Sequence, residues 1–150
     1  MALSGRFGDT TGRPYLEGRL VFPRLNLRGE VSWLVDTGAD ESMLMAADAL
    51  RFGVDYSQLR ASPSQSVGIG GAMSSFVEDA ILVFTERGTV AYVYYLSLEI
   101  APFSREIQDL PSLLGRDILD RWRMTYEPPA RRLTFDVLSA DTTLPFGDPA

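Results

Sequence analysis

The 150-residue chain contains no cysteine, no histidine and no lysine. Without cysteine there is neither a disulfide framework nor a thiolate nucleophile. Without histidine, the Ser-His-Asp triad, the Cys-His pair and the Cys/His zinc site all lack parts. General acid–base chemistry therefore falls to carboxylates or tyrosine. The 14 basic residues are all arginine, and 20 acidic ones outnumber them, for a net charge of -6. The only adjacent basic pair is Arg131-Arg132, too little for a stripe along a phosphate backbone, so no nucleic-acid partner is expected. No apolar run approaches the roughly 20 residues that span a bilayer. The stretch Met1 to Thr11 has no apolar core of a targeting segment. These absences set the expectation of a cytoplasmic protein with no membrane partner and no cofactor.

What is present reads as one domain. A composition 45% hydrophobic and 23% charged supports a folded core. Residues 1–13 and 139–150, rich in Gly, Ser, Thr, Asp and Pro, are expected as flexible tails around a domain at 14–138. Alternating apolar residues predict strands over 15–22 and 30–35, with a short helix at 46–50. A hairpin is expected over 64–73, and paired strands over 76–84 and 89–98 around Glu86-Arg87-Gly88. Ile118, Leu119 and Trp122 at helical spacing predict a helix over 116–122. A closing hairpin over 123–127 and 133–138 turns at Pro128-Pro129. The fold class is all-β with one short C-terminal helix.

Three local patterns carry chemistry. Leu34-Val35-Asp36-Thr37-Gly38-Ala39-Asp40 places a carboxylate at the end of an apolar strand, where it is costly without a partner or a task. Asp-Thr-Gly in isolation is an ordinary surface turn. Gly68-Ile69-Gly70-Gly71 sets an apolar residue between glycines at a hairpin tip, a form that can close over a ligand. No Gly-Lys-Ser/Thr follows it, which removes a phosphate-loop reading. Leu113-Leu114-Gly115-Arg116-Asp117-Ile118-Leu119 is a buried strand that ends at a glycine and enters a helix.

In this order, the three patterns resemble the active-site loop, flap and C-terminal helix motif of retroviral-type aspartic proteases. The chain is similar to a single-domain, non-viral retropepsin-like member over residues 14–138. The resemblance implies a half-barrel with a flap hairpin and an aspartic endopeptidase activity on peptide or protein substrates, with Asp36 as the catalytic carboxylate. It gives Thr37, Gly38 and Ala39 to the active-site loop. Gly38, Asp40, Gly68, Ile69, Gly70 and Gly71 go to substrate binding, and Leu114, Gly115 and Arg116 to structural support, with Arg116 pairing Asp40. Asp117 reads as a residue favoured by the helix dipole.

The chemistry implied by the family needs two carboxylates that share a proton, and Asp-Thr-Gly occurs once. A homodimer follows as a requirement, and the strand at 133–138 is a candidate to pair across it. Ala39 stands where pepsin-like enzymes usually carry a serine that can donate to the ionised carboxylate, which predicts a less acid-shifted pH optimum. Two other readings stay open: a catalytically weak dimerisation or peptide-binding domain, and a carboxylate metal site on Asp36 and Asp40.

Overall fold

Strand-forming alternation dominates the chain, and its computed structural model, described for residues 2–68, 71–103 and 109–145, is built almost wholly of strands. For residues 62–68 and 71–74 the description extends to the backbone alone. In chain order the elements are β1 (Ala2–Ser4), β2 (Arg6–Phe7), β3 (Pro14–Phe22), β4 (Leu27–Val35), β5 (Met43–Leu44), α1 (Ala46–Phe52), β6 (Arg60–Gly68), β7 (Gly71–Glu86), β8 (Val90–Ile100), β9 (Leu113–Leu114), α2 (Arg116–Leu119), β10 (Trp122–Glu127), β11 (Arg132–Val137) and β12 (Thr142–Pro145). No helix among the described residues is long and apolar enough to cross a membrane.

The large sheet runs β12-β8-β5-β9-β4-β3-β7-β6, and β7 also pairs with β8. That extra pairing closes β3, β4, β9, β5, β8 and β7 into a six-stranded barrel. A second sheet has the order β1-β11-β10. The all-β half-barrel expected from sequence is therefore the observed fold class.

Turn chemistry sets the register. Gly88 at φ 74° follows Arg87 at φ 26° and lets β7 turn back into β8 with Glu86 opposite Val90. Asn26 at φ 54° does the same between β3 and β4, in the left-handed region that Asn tolerates.

Inward-facing residues of both sheets form one core. Trp33, Phe22, Phe84, Tyr94 and Phe135 are fully buried. Trp122 packs between the sheets, with ring centroids 5.0 Å from Phe84 and 5.2 Å from Phe135, and its Nε1–H donates to the Tyr94 hydroxyl at 2.7 Å. Aromatic pairs of this kind add about 1 kcal/mol each beyond their burial.

Three expectations differ from the structure, each for a physical reason. The helix predicted over 116–122 stops at Leu119. The Arg121 carbonyl then accepts N–H bonds from Leu138 and Ser139, and Trp122 starts β10. Residues of both expected tails enter sheets: β1 pairs with β11, β2 with β3 and β12 with β8. At the C-terminal end Asp141 accepts from Tyr95 N–H at 2.8 Å and from Arg121 at 3.0 Å, which fixes the entry to β12. Finally, β11 cannot pair across a dimer, because β10 and β1 occupy both of its edges within the chain.

A buried carboxyl group on β7 meets an arginine from the β3–β4 turn. Glu78 on β7 is fully buried, and Arg24 in the β3–β4 turn reaches it with two N–H bonds at 3.0 and 2.5 Å while also donating to the Gln58 carbonyl at 2.6 Å. Removing one partner of such a pair strands the other. Arg24→Leu is expected to lower the melting temperature by on the order of 10 °C, and Arg24→Leu/Glu78→Leu to recover part of the loss. Thermal unfolding of both variants checks this. An unchanged single variant would contradict the role given to Arg24.

Candidate active site

Strand β4 delivers the Asp36 loop and β9 holds it from beside. The two run parallel, Leu34 facing Leu113 and Val35 facing Leu114, and Asp36 N–H donates to the Leu114 carbonyl at 3.0 Å. Leu114 is fully buried and Val35 nearly so, so the strand ends are fixed in the core while the loop beyond them reaches solvent. Asp36 is half-buried, Thr37 and Gly38 are exposed, Ala39 is half-buried and Asp40 is exposed. Within the loop, Gly38 N–H donates to Asp36 Oδ1 at 2.9 Å and Ala39 N–H to the Asp36 carbonyl at 3.2 Å. The carboxylate therefore has one backbone donor on one oxygen and its other oxygen directed to no described group.

Helix α2 braces this loop by backbone and side chain. Arg116 N–H donates to the Ala39 carbonyl at 2.9 Å and Asp117 N–H to the Asp40 carbonyl at 3.2 Å. The Arg116 guanidinium bonds the Asp40 carboxylate, as the resemblance implied. The pair is largely exposed, so its worth lies in orientation more than in stability.

Gly115 sits where the chain turns from β9 into α2 against the loop backbone. A Cβ there would stand 2.5 Å from the Glu41 carbonyl carbon and 2.9 Å from the Ala39 oxygen. Only glycine permits that approach.

Ser42 and Asp117 complete the brace, and sequence reasoning gave neither of them this part. The buried Ser42 donates its hydroxyl to Asp117 Oδ1 at 2.7 Å and its N–H to Oδ2 at 2.9 Å, and its oxygen accepts from Gly115 N–H at 2.9 Å. Asp117 thus acts through a specific partner and not through the dipole of a four-residue helix. A second serine, Ser112, donates to Asp48 Oδ2 at 2.6 Å and accepts from Met45 N–H at 2.9 Å, tying the approach to β9 to helix α1. The signal available in sequence was small: polar residues flanking two apolar motifs.

Acidic side chains crowd the loop. Glu41 is exposed as a residue, but partial desolvation of its carboxyl first, and then the charges of Glu99, Asp117 and Asp40, push it above the usual carboxylate range. A carboxyl whose folded pKa is raised holds its proton more tightly in the folded state. Its contribution is therefore favourable at low pH and is lost as pH rises through the folded value. Glu41→Gln is expected to raise the melting temperature near about pH 7 and to leave it nearly unchanged near about pH 4. Melting curves of both proteins across that range check it, and a gain confined to the acid end would contradict it.

Of the remaining predicted residues, Gly68 ends β6 and Gly71 begins β7. Gly68 faces Gly71 in the β6–β7 register, and Ile69 and Gly70 lie outside the described residues. Among the described residues, no group of three or more Asp or Glu side chains converges as a metal site. Beside the loop, a recess of about 250 Å³ is lined by Pro14, Val35, Thr37, Met124 and Tyr126.

Comparison with known proteins accords with this architecture. The family model described as retroviral aspartyl protease matches residues 13–126. Among solved structures, the chain is similar to a retropepsin-like aspartic protease from Rickettsia conorii, at TM-score 0.55 and 18% identity over 90% of this chain and 88% of that one. It also matches the EIAV protease complexed with the inhibitor HBY-793, at TM-score 0.48 and 22% identity over 75% of this chain and 90% of that one. A search of curated proteins returned no match. At this identity the likeness to the Rickettsia conorii structure speaks for the fold alone, and the family model covers most of the sequence. The chain belongs to the retroviral aspartyl protease family.

Proposed function

We infer that the protein is an aspartic endopeptidase whose active site is assembled from two copies of the chain, each supplying Asp36. The observation that carries this reading is the single Asp-Thr-Gly loop. It holds a half-exposed carboxylate at the surface, fixed by β9 and α2, and the chain offers no second copy to face it.

Two such carboxylates side by side share one proton, because both cannot ionise cheaply. The ionised member takes a proton from a water, whose oxygen attacks the scissile carbonyl carbon. The protonated member gives its proton to the carbonyl oxygen. Collapse of the resulting tetrahedral diol breaks the C–N bond: the leaving nitrogen takes up a proton from one carboxyl while a diol hydroxyl returns its proton to the other, which restores the singly protonated dyad. The Thr37 hydroxyl interlocks with the loop of the second copy, Gly38 and Asp40 meet the substrate main chain, and Gly68, Ile69, Gly70 and Gly71 serve as a flap over the peptide. Leu114, Gly115 and Arg116 hold the loop.

The pH–rate profile tests the proton sharing. The account expects a bell with its maximum at roughly pH 5 to 6, because Ala39 offers no hydroxyl to stabilise the ionised dyad. A maximum near roughly pH 2 to 3, or a rate that rises steadily into the alkaline range, contradicts it.

A further inference from the structure

We propose that Ser75 and Glu99 are positioning residues for substrate capture: their hydrogen bond is the pivot on which the paired arms of β6 and β7 close over a peptide. This rests on the reading of the chain as an endopeptidase whose flap is residues 68–71, and adds the point from which that flap swings.

The ladder pattern locates the pivot. Strand β7 pairs with β8 from Glu86 back to Phe76, which faces Ile100, and there that ladder ends. Among the described residues, 71–74 pair only with 65–68 of β6. On the other arm Ala61 faces Phe76 and the next pair is Gln65 with Ser74, so the register shifts between them. Two arms joined only to each other beyond a break in a ladder open and close as a unit about that break. Ser75 stands at it.

Ser75 is buried, and its hydroxyl donates to Glu99 Oε2 at 2.5 Å. Glu99 is buried too, on β8, facing Val77 of β7 on one side and Met43 of β5 on the other. Met43 opens β5, the first strand after the loop that carries Asp36. Glu99 is near enough to Glu41 of that loop for its charge to act there. One residue thus holds both the base of the flap and the exit of the catalytic loop.

A second tie runs in parallel with the first. The Tyr56 ring meets Phe76 edge-on at a centroid distance of 5.4 Å, and its hydroxyl donates to the Ala101 carbonyl at 2.8 Å. Ala101 N–H in turn donates to the Leu44 carbonyl of β5 at 2.9 Å. Ring contact tolerates sliding, whereas a hydroxyl-to-carboxyl bond is directional and fixes an angle. Without the Ser75 hydroxyl the arms sample more arrangements. The closed one is then less populated, and apparent peptide affinity falls by the same fraction. Ser75 and Glu99 touch no reacting atom, so a captured peptide is cleaved as before.

Peptide cleavage and hydrogen exchange of Ser75→Ala, at a temperature where circular dichroism shows it folded, test this together. KM is expected to rise about tenfold with kcat within about twofold of wild type. In the free protein, amides of 65–68 and 71–74 are expected to exchange about tenfold faster, and those of 78–84 at the wild-type rate. Ser75→Thr keeps the hydroxyl and is expected to stay within about twofold of wild type in both measurements. Tyr56→Phe keeps the ring contact, loses the bond to Ala101 and is expected to raise KM by a smaller factor. Unchanged KM and exchange in Ser75→Ala overturn the pivot and leave the endopeptidase reading standing. Equal acceleration of 65–74 and 78–84 also overturns it, because the bond would then serve the barrel as a whole. A wild-type chain that cleaves no peptide overturns the endopeptidase reading, and the exchange pattern still decides the pivot.

Discussion

Asp36→Asn is expected to lower peptide cleavage by a factor on the order of 10³ or more while the fold and the melting temperature stay near wild type. The amide keeps an oxygen to accept the Gly38 N–H bond at 2.9 Å, so the loop retains its internal geometry. What is lost is the ability to take a proton from water and to pass it on. Asp36 is half-buried and its second oxygen faces no described donor, so the substitution strands no buried group. Cleavage of a peptide library by both proteins at matched concentration checks this. Equal rates would move the chemistry away from Asp36. A collapse of the melting temperature would show that the carboxylate serves the fold.

Gly115→Ala is expected to cost about 3 kcal/mol, lowering the melting temperature by on the order of 10 °C. The added methyl would meet the Glu41 carbonyl carbon at 2.5 Å and its oxygen at 2.7 Å, both backbone atoms between the loop and helix α2. Neither can swing aside as a side-chain tip does. Relief requires the loop and the helix to separate, which stretches the Gly115 N–H bond to Ser42 and the Arg116 N–H bond to Ala39. Because the same loop carries Asp36, activity at a temperature where the variant remains folded should fall by about 100-fold. Thermal unfolding and cleavage rate together check it. A variant as stable and as active as wild type would show that the contact at Gly115 has slack.

Much of the fold was legible because its signals are local. Alternation in residues 15–22 and 76–84, the glycine at the 86–89 turn and the apolar run into Asp36 each declare themselves within a few residues, and the structure builds β3, β7, β8 and β4 there. The brace between Arg116 and Asp40 was legible through family resemblance and not through spacing. Other parts depend on partners distant in sequence. Ser42 finds Asp117 75 positions on, and Arg24 finds Glu78 54 positions on. A serine or a glutamate gives no local sign of such a choice. Trp122 was misread as helical because a tryptophan three positions after Leu119 fits both periods. Its burial against Tyr94 and Phe135 decided for the strand. At the ends, polar, glycine-rich composition describes tails and edge strands equally well, and β1, β2 and β12 lie there.

The central claim is that one chain is half a catalyst, and mixing tests it most directly. Wild-type chains are combined with Asp36→Asn chains at constant total concentration, allowed to exchange, and assayed for peptide cleavage. If both carboxylates are needed, activity follows the square of the wild-type fraction, falling to about a quarter at equal parts. A linear fall, to about half at equal parts, would mean that each chain works alone, and it would contradict the account.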